Sequence, residues 1–266
     1  MHLDRLEYQI EAINKVLEAI KHENICENKN VYANPIINNT QNIDVKMETG
    51  TGKTYVYTRL IHSLKQKYGF FKFIILVPSV PIKEGVKMSI TSDDWNKHFR
   101  QEFGNQSIHL GIINAGDFDA KKGKCKQIPE ALRSFCDSSK AEDKNIQVLL
   151  LNDGMLSSSS MSKNDYDTTL FGNISCPLEG LKAVRPIIII DEPHRFSKTN
   201  KAWKNITEGL CPQLIIRFGA TFPVIKGENK IDYENKVYDL NSISAFNDGL
   251  VKGVHIEYPA LPGSNN

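Results

Sequence analysis

The chain lacks the features that would place it in several large classes. Its 266 residues hold five cysteines but no Cys-x-x-Cys pair, which argues against a zinc site or a disulfide framework and fits a reduced, cytoplasmic setting. No signal-peptide pattern, internal repeat or apolar run of membrane-spanning length occurs. Charge of one sign is missing too: 33 Lys and Arg against 31 Asp and Glu leave a net +2. No strong basic field therefore advertises nucleic acid, and any such contact has to come from local placement of lysines. What remains is ordinary for a soluble globular protein, with 40% hydrophobic and 24% charged residues, enough for one large core or a domain with an insertion.

Against that plain background stands Met47-Glu48-Thr49-Gly50-Thr51-Gly52-Lys53-Thr54. It follows the apolar Ile43–Val45 and precedes an amphipathic stretch from Tyr55 to Tyr68, so the context is strand, glycine loop, helix, as a phosphate-binding loop requires. Gly50 and Gly52 allow the backbone N–H groups to converge on phosphate oxygens. A helix starting near Lys53 adds its positive end. Lys53 is expected to reach the β- and γ-phosphates and the Thr54 hydroxyl to take a place on Mg²⁺. A chance Gly-x-Gly-Lys-Thr would leave the flanking strand and helix unexplained.

A second signal lies at Pro186–Ile190, four consecutive isoleucines ending in Asp191-Glu192-Pro193-His194. The run is too short for a membrane and suits a parallel strand buried on both faces. Such a strand delivering two acids at its carboxyl end is how a Walker B motif works. Asp191 would hold Mg²⁺ through water, and Glu192 would orient or deprotonate an attacking water. Asp-Glu-Pro also suits the start of a helix, which accounts for the residue types but not for their pairing with a glycine loop.

Further strands are expected near 43–47, 73–77, 108–113, 147–151, 186–190 and 214–219, with helices between several of them, hence a parallel sheet covered on both faces. Leu6, Ile10, Ile13, Val16, Leu17 and Ile20 mark a leading helix, followed by an Asn-rich loop from Asn28 to Asn42. Residues 117–144 and 157–180 read as polar insertions, and Ile231–Leu240 as an edge strand or a hairpin. Lys121–Lys126 is a basic run, either a nucleic-acid contact or, as such runs more commonly are, a solvated loop.

As a set these motifs resemble superfamily-two helicases and translocases, in which Met47 commonly replaces the first glycine of the loop. More closely, Met47–Tyr55, Tyr68–Ser79, Ile82–Gly85, the Asp-Glu-Pro-His element and Phe218–Phe222 look like the restriction (Res) subunit of Type III restriction–modification enzymes, over about Leu6 to His255. That resemblance implies an α/β, RecA-like P-loop NTPase lobe over 43–255, behind an amino-terminal segment 1–42 and before a tail 256–266. It implies ATP and Mg²⁺ as cofactors, with double-stranded DNA and a modification (methyltransferase) subunit as partners. Tyr8 and Gln9 are similar to the glutamine motif that reads adenine, although Gln9 equally suits a polar helix face. Ser79, Lys83, Gly85 and Asn152 occupy positions that lie along a DNA backbone in that family; for Ser79 and Lys83 a helix cap and a solvated lysine are the plain alternative. Gly219, Ala220 and Thr221 resemble the third motif, with His194 as the expected partner of Thr221 in coupling hydrolysis to motion.

The resemblance also marks what these residues do not contain. A second motor lobe with its arginine finger would follow, and a nuclease would add a Pro-Asp…Glu-x-Lys pattern. Glu234-Asn-Lys236 fits only the last three positions. Two functions are therefore expected: the first lobe of an ATP-driven DNA translocase, or a truncated ATP- or partner-binding module with negligible turnover.

Overall fold

The computed structural model describes residues 6–20, 22–118, 126–141, 144–199, 201–225, 227–228, 230–240 and 245. Its principal elements, in chain order, are α1 (Glu7–Ala19), β1 (Gln41–Met47), α2 (Lys53–Tyr68), β2 (Lys72–Val77), α3 (Val80–Ile90), α4 (Asp93–Glu102) and β3 (Ser107–Ile112). There follow α5 (Glu130–Asp137), β4 (Asn145–Asn152), α6 (Pro177–Ala183), β5 (Ile187–Asp191), β6 (Leu214–Gly219) and β7 (Lys236–Leu240). The seven strands form one sheet in the order β7-β1-β6-β5-β2-β4-β3. Every pairing in it is parallel.

The central strands β2, β5 and β6 are buried along their whole length because both faces are covered, and are apolar but for Lys72, Asp191 and Arg217. In β5 the β-branched isoleucines favour the extended backbone. Ile187 and Ile189 enter one core and Ile188 and Ile190 the other. Helices α1 and α2 supply the first core through Ala12, Ile13, Val16, Val56, Tyr57 and Leu60. The second core holds Leu132, Phe135 and Cys136 of α5, Leu181 of α6, and Trp203 and Ile206. Helix α2 stops at Gly69, whose φ of 75° closes the last turn through its N–H to the Lys65 carbonyl at 2.9 Å.

Several expectations change in detail. The stretches read as insertions at 117–144 and 157–180 bury their apolar minority in the second core, through Ile128, Leu132, Phe135, Met161, Tyr166 and Leu170. Most of the basic run lies outside the described residues, and Lys126 pairs with Asp165 at 2.5 Å. Residues 231–240 supply both alternatives, since Lys230–Ile231 pairs antiparallel with Val224–Ile225 and β7 then joins the sheet edge beside β1. The tail from 246 onward lies outside the described residues. No described helix is long and apolar enough to cross a membrane.

In the Asn-rich loop one residue is structural. The Asn34 amide nitrogen donates to the carbonyls of Lys72 at 2.7 Å and Arg185 at 3.0 Å. Its oxygen accepts from the Phe71 and Lys72 N–H groups at 2.9 and 3.0 Å. Those bonds fasten the start of β2 to the turn before β5.

At the other side of the sheet Arg217 of β6 and Asp44 of β1 are register partners, both at 0% exposure. The guanidinium meets the carboxylate through two bonds, Nε to Oδ1 at 2.6 Å and Nη2 to Oδ2 at 2.9 Å. Nη2 also donates to the Asp232 carbonyl at 2.9 Å, and Asp44 Oδ2 accepts the N–H groups of Glu234 and Asn235 at 2.6 and 3.2 Å. The rings of Trp203 and Phe222 lie 5.6 and 5.4 Å from the guanidinium. Arg217→Met strands a buried carboxylate and is expected to cost about 3–5 kcal/mol. Urea denaturation at neutral pH measures it, with the Asp44→Asn/Arg217→Met double variant losing less than the two single losses together.

Candidate active site

The strand order decides where the chemistry sits. Strands β1, β6 and β5 are neighbours, and the glycine loop, Gly219–Thr221 and Asp191–His194 all follow their carboxyl ends. In an open parallel sheet that edge is where ligands bind.

The loop between β1 and α2 turns on Gly50 and Gly52, with φ of 88° and 81°. Side-chain-bearing residues adopt such angles only at a cost. The Glu48 carbonyl accepts from the Thr51 hydroxyl at 2.6 Å and from its N–H at 3.3 Å, which closes the turn; Thr49 is exposed beside it. Gln9 packs so closely on the loop that a Cβ at Gly52 would lie 2.7 Å from its amide nitrogen. That nitrogen donates to the Thr51 carbonyl at 3.1 Å, and the Tyr8 hydroxyl donates to the same oxygen at 2.9 Å. Tyr8 and Gln9 are thus both fastened to the loop.

Across from the loop, Asp191 ends β5 almost fully buried. Burial pushes its carboxyl up from 3.8 to about 6, against the opposing pull of the Lys53 ammonium. Its Oδ2 lies 3.5 Å from the Tyr57 hydroxyl, while the buried Oδ1 has no hydrogen-bond partner. Glu192 follows in the left-handed region, φ 56° and ψ 65°, a strained setting for a non-glycine residue. The bend presents its carboxylate to Lys53 Nζ at 3.2 Å and to His194 Nδ1 at 3.5 Å. His194 Nδ1 is also 3.2 Å from the Thr221 hydroxyl. The neighbouring Gly219 leaves no room for a side chain, since a Cβ there would stand 2.4 Å from Pro193 Cδ. Ala220, half-buried, completes this contact between the ends of β5 and β6.

This constellation can receive a polyphosphate and a divalent cation: glycine-borne N–H groups, a buried lysine, a hydroxyl at Thr54, and a carboxylate oxygen with no other partner. Among the described residues no three His, Cys, Asp or Glu side chains converge, so these residues offer no closed cage for a metal. Mg²⁺ suits such a site because it keeps waters and phosphates among its ligands.

Residues 2–224 match the family described as Type III restriction enzyme, res subunit. The chain belongs to that family. It is 49% identical over 273 aligned positions to the Type III restriction-modification enzyme StyLTI Res subunit of Salmonella typhimurium, covering 98% of this chain and 27% of that protein. It is 42% identical to the EcoP15I Res subunit of Escherichia coli, covering 80% and 21%. The chain thus spans about a quarter of the length of the curated relatives it matches. Two solved structures share its fold. One is a nuclease-deletion mutant of the Type ISP restriction-modification enzyme LlaGI, 16% identical with a TM-score of 0.52, covering 93% of this chain and 21% of that one. The other is the ATP-dependent Type ISP restriction-modification enzyme LlaBIII, 14% identical with a TM-score of 0.53, covering 94% and 16%. The sheet of this Res-family chain is the RecA-like α/β arrangement that the resemblance implied.

Of the four positions expected along a DNA backbone, two point elsewhere. Lys83 is buried on α3, and its amine donates to the Ile113 carbonyl at 2.5 Å and to Asn114 Oδ1 at 2.9 Å, capping the end of β3. Gly85 is exposed but lies beyond the first turn of α3, where the helix takes up backbone N–H groups itself. Ser79 precedes α3 and Asn152 ends β4, both half-buried at the carboxyl edge of adjacent strands.

Sequence reasoning passed over Tyr57. It reads as one more apolar residue on an amphipathic helix, yet its fully buried phenol touches Asp191, and burial together with that carboxylate pushes it well above its ordinary value.

The raised Asp191 carboxyl has a pH consequence. Ionisation is penalised only in the folded state, so stability is fullest below 3.8 and falls as pH climbs through about 6. The loss amounts to about 3 kcal/mol. Asp191→Asn removes it, so without nucleotide or metal the Tm of the variant, relative to the parent, should rise between about pH 4 and about pH 7.5. A difference independent of pH in scanning calorimetry would contradict a buried ionisable carboxyl.

Proposed function

We propose that this chain is the ATP-binding first motor lobe of a Type III restriction Res subunit, hydrolysing ATP with Mg²⁺ to drive movement on double-stranded DNA beside a modification subunit. The observation that carries the proposal is the convergence of Lys53, Asp191 and Glu192 at the carboxyl edge of three adjacent strands. The loop N–H groups and Lys53 would hold the phosphates; Thr54 and Asp191 would hold Mg²⁺, whose charge would offset that building on the phosphates. Gln9, through its amide oxygen, and Tyr8 would face adenine from a position fixed by Thr51. Ser79 and Asn152 would lie along the DNA backbone. Glu192 would orient the attacking water, and His194 with Thr221 would carry the change at Glu192 to β6. For water to use Glu192, its carboxylate has to leave Lys53, which a phosphate on that lysine would favour.

Lys53→Ala removes the charge aimed at the phosphates and is expected to weaken ATP binding by about 1.5–3 kcal/mol in titration calorimetry. Unchanged affinity in a folded variant would refute the phosphate assignment.

Glu192→Gln separates hydrolysis from binding. In the full-length Res subunit, turnover should fall by about 10²–10⁴ while ATP affinity is kept, the share usual for a general base. Turnover near that of the parent protein would move the base elsewhere. The lobe alone should turn over slowly, because a cation across the cleft is worth about 10³–10⁵ in rate, and Arg217 is held by Asp44. Fast DNA-stimulated hydrolysis by the lobe would count against this, and binding with no turnover even in the complete subunit would favour the binding-module reading.

A further inference from the structure

We infer that Tyr57 is a positioning residue that sets the Asp191 carboxylate for a divalent cation. The inference rests on the nucleotide reading above and names a residue outside the loop and acid motifs. Tyr57 lies one turn beyond Thr54 on α2, so both side chains rise on the same face. Its ring is at 0% exposure and packs edge-on against Phe218 of β6, 5.7 Å between centroids. Its hydroxyl donates to Asp191 Oδ2 at 3.5 Å.

A phenylalanine would fill that space without burying a hydroxyl, which is costly unless partnered. The partner present is Asp191, a residue assigned to the metal. A phenol has one proton to give and lone pairs to receive another. Here that proton goes to Asp191. Asp191 is engaged on Oδ2, and the oxygen left without a protein partner is Oδ1. Hydrogen bonds from outside the ligand shell orient metal ligands in this way, and losing one costs about 10–100-fold in metal affinity.

The test is Tyr57→Phe in the protein, with ATP affinity measured in EDTA and across a Mg²⁺ titration. The variant is expected to bind ATP in EDTA as the parent does, since loop and Lys53 are untouched. Its Mg²⁺ midpoint should rise about 10-fold or more. An unchanged midpoint overturns the inference, and so does an equal loss of affinity in EDTA, which would mark a purely structural role. If the parent protein shows no Mg²⁺-dependent tightening, the nucleotide reading itself fails and takes this one with it.

Discussion

The Asp44–Arg217 pair sets the geometry on which the rest of the site depends. Two full charges at 0% exposure are tolerable only when each is met at close range, and here the match is bidentate across register partners of adjacent strands. Fixing β1 against β6 fixes the relative height of the glycine loop and of Gly219–Thr221, because each follows directly from one of those strands. The same carboxylate receives the Glu234 and Asn235 N–H groups, so the chain entering β7 is placed by it too. Lys198, just past the acid motif, reaches Asp232 and Glu234 at 3.0 and 2.5 Å. The pair thus ties β1 to β6 and to the chain entering β7, and Lys198 ties that chain to the segment after the acid motif.

At the edge itself the electrostatics alternate. Lys53 lies between a carboxylate it touches, Glu192, and a buried one it influences from further off, Asp191. The strained backbone at Glu192 keeps two acids that are consecutive in sequence from pointing the same way. One is buried beside Tyr57, and the other turns to Lys53 and His194. A cost in backbone conformation therefore separates two chemically identical groups into different surroundings.

Much of this was legible in the sequence, for a physical reason. Buried parallel strands favour branched apolar residues, so β2, β4, β5 and β6 announce themselves despite Lys72, Gln147 and Arg217, and their polar exits mark the site edge. A Gly-x-Gly-Lys-Thr run after a strand, paired with two acids after an isoleucine run, has few other uses. Other residues were opaque because their types have more than one. Lys83 has a stem long enough to turn inward and cap β3. Asn34 sits among many asparagines that look like solvated loop, and only the fold shows which one is enclosed. Helices α5 and α6 carry so many polar residues that their buried minority was invisible without the sheet beneath. Tyr57 was hidden by its ring, which satisfies the helical pattern whatever its hydroxyl does.

Asn34 has a mechanical meaning beyond its bonds. Both amide hydrogens and both lone pairs of its carboxamide are engaged, at carbonyls and N–H groups of two separate turns on the rim opposite the glycine loop. A carboxamide used on every valence has no slack, so the starts of β2 and β5 cannot slide past one another without breaking all of these bonds together. The sheet is therefore a lever anchored at one rim. The loops at the other rim carry no such tie to Asn34, so a change in them need not disturb the starts of β2 and β5.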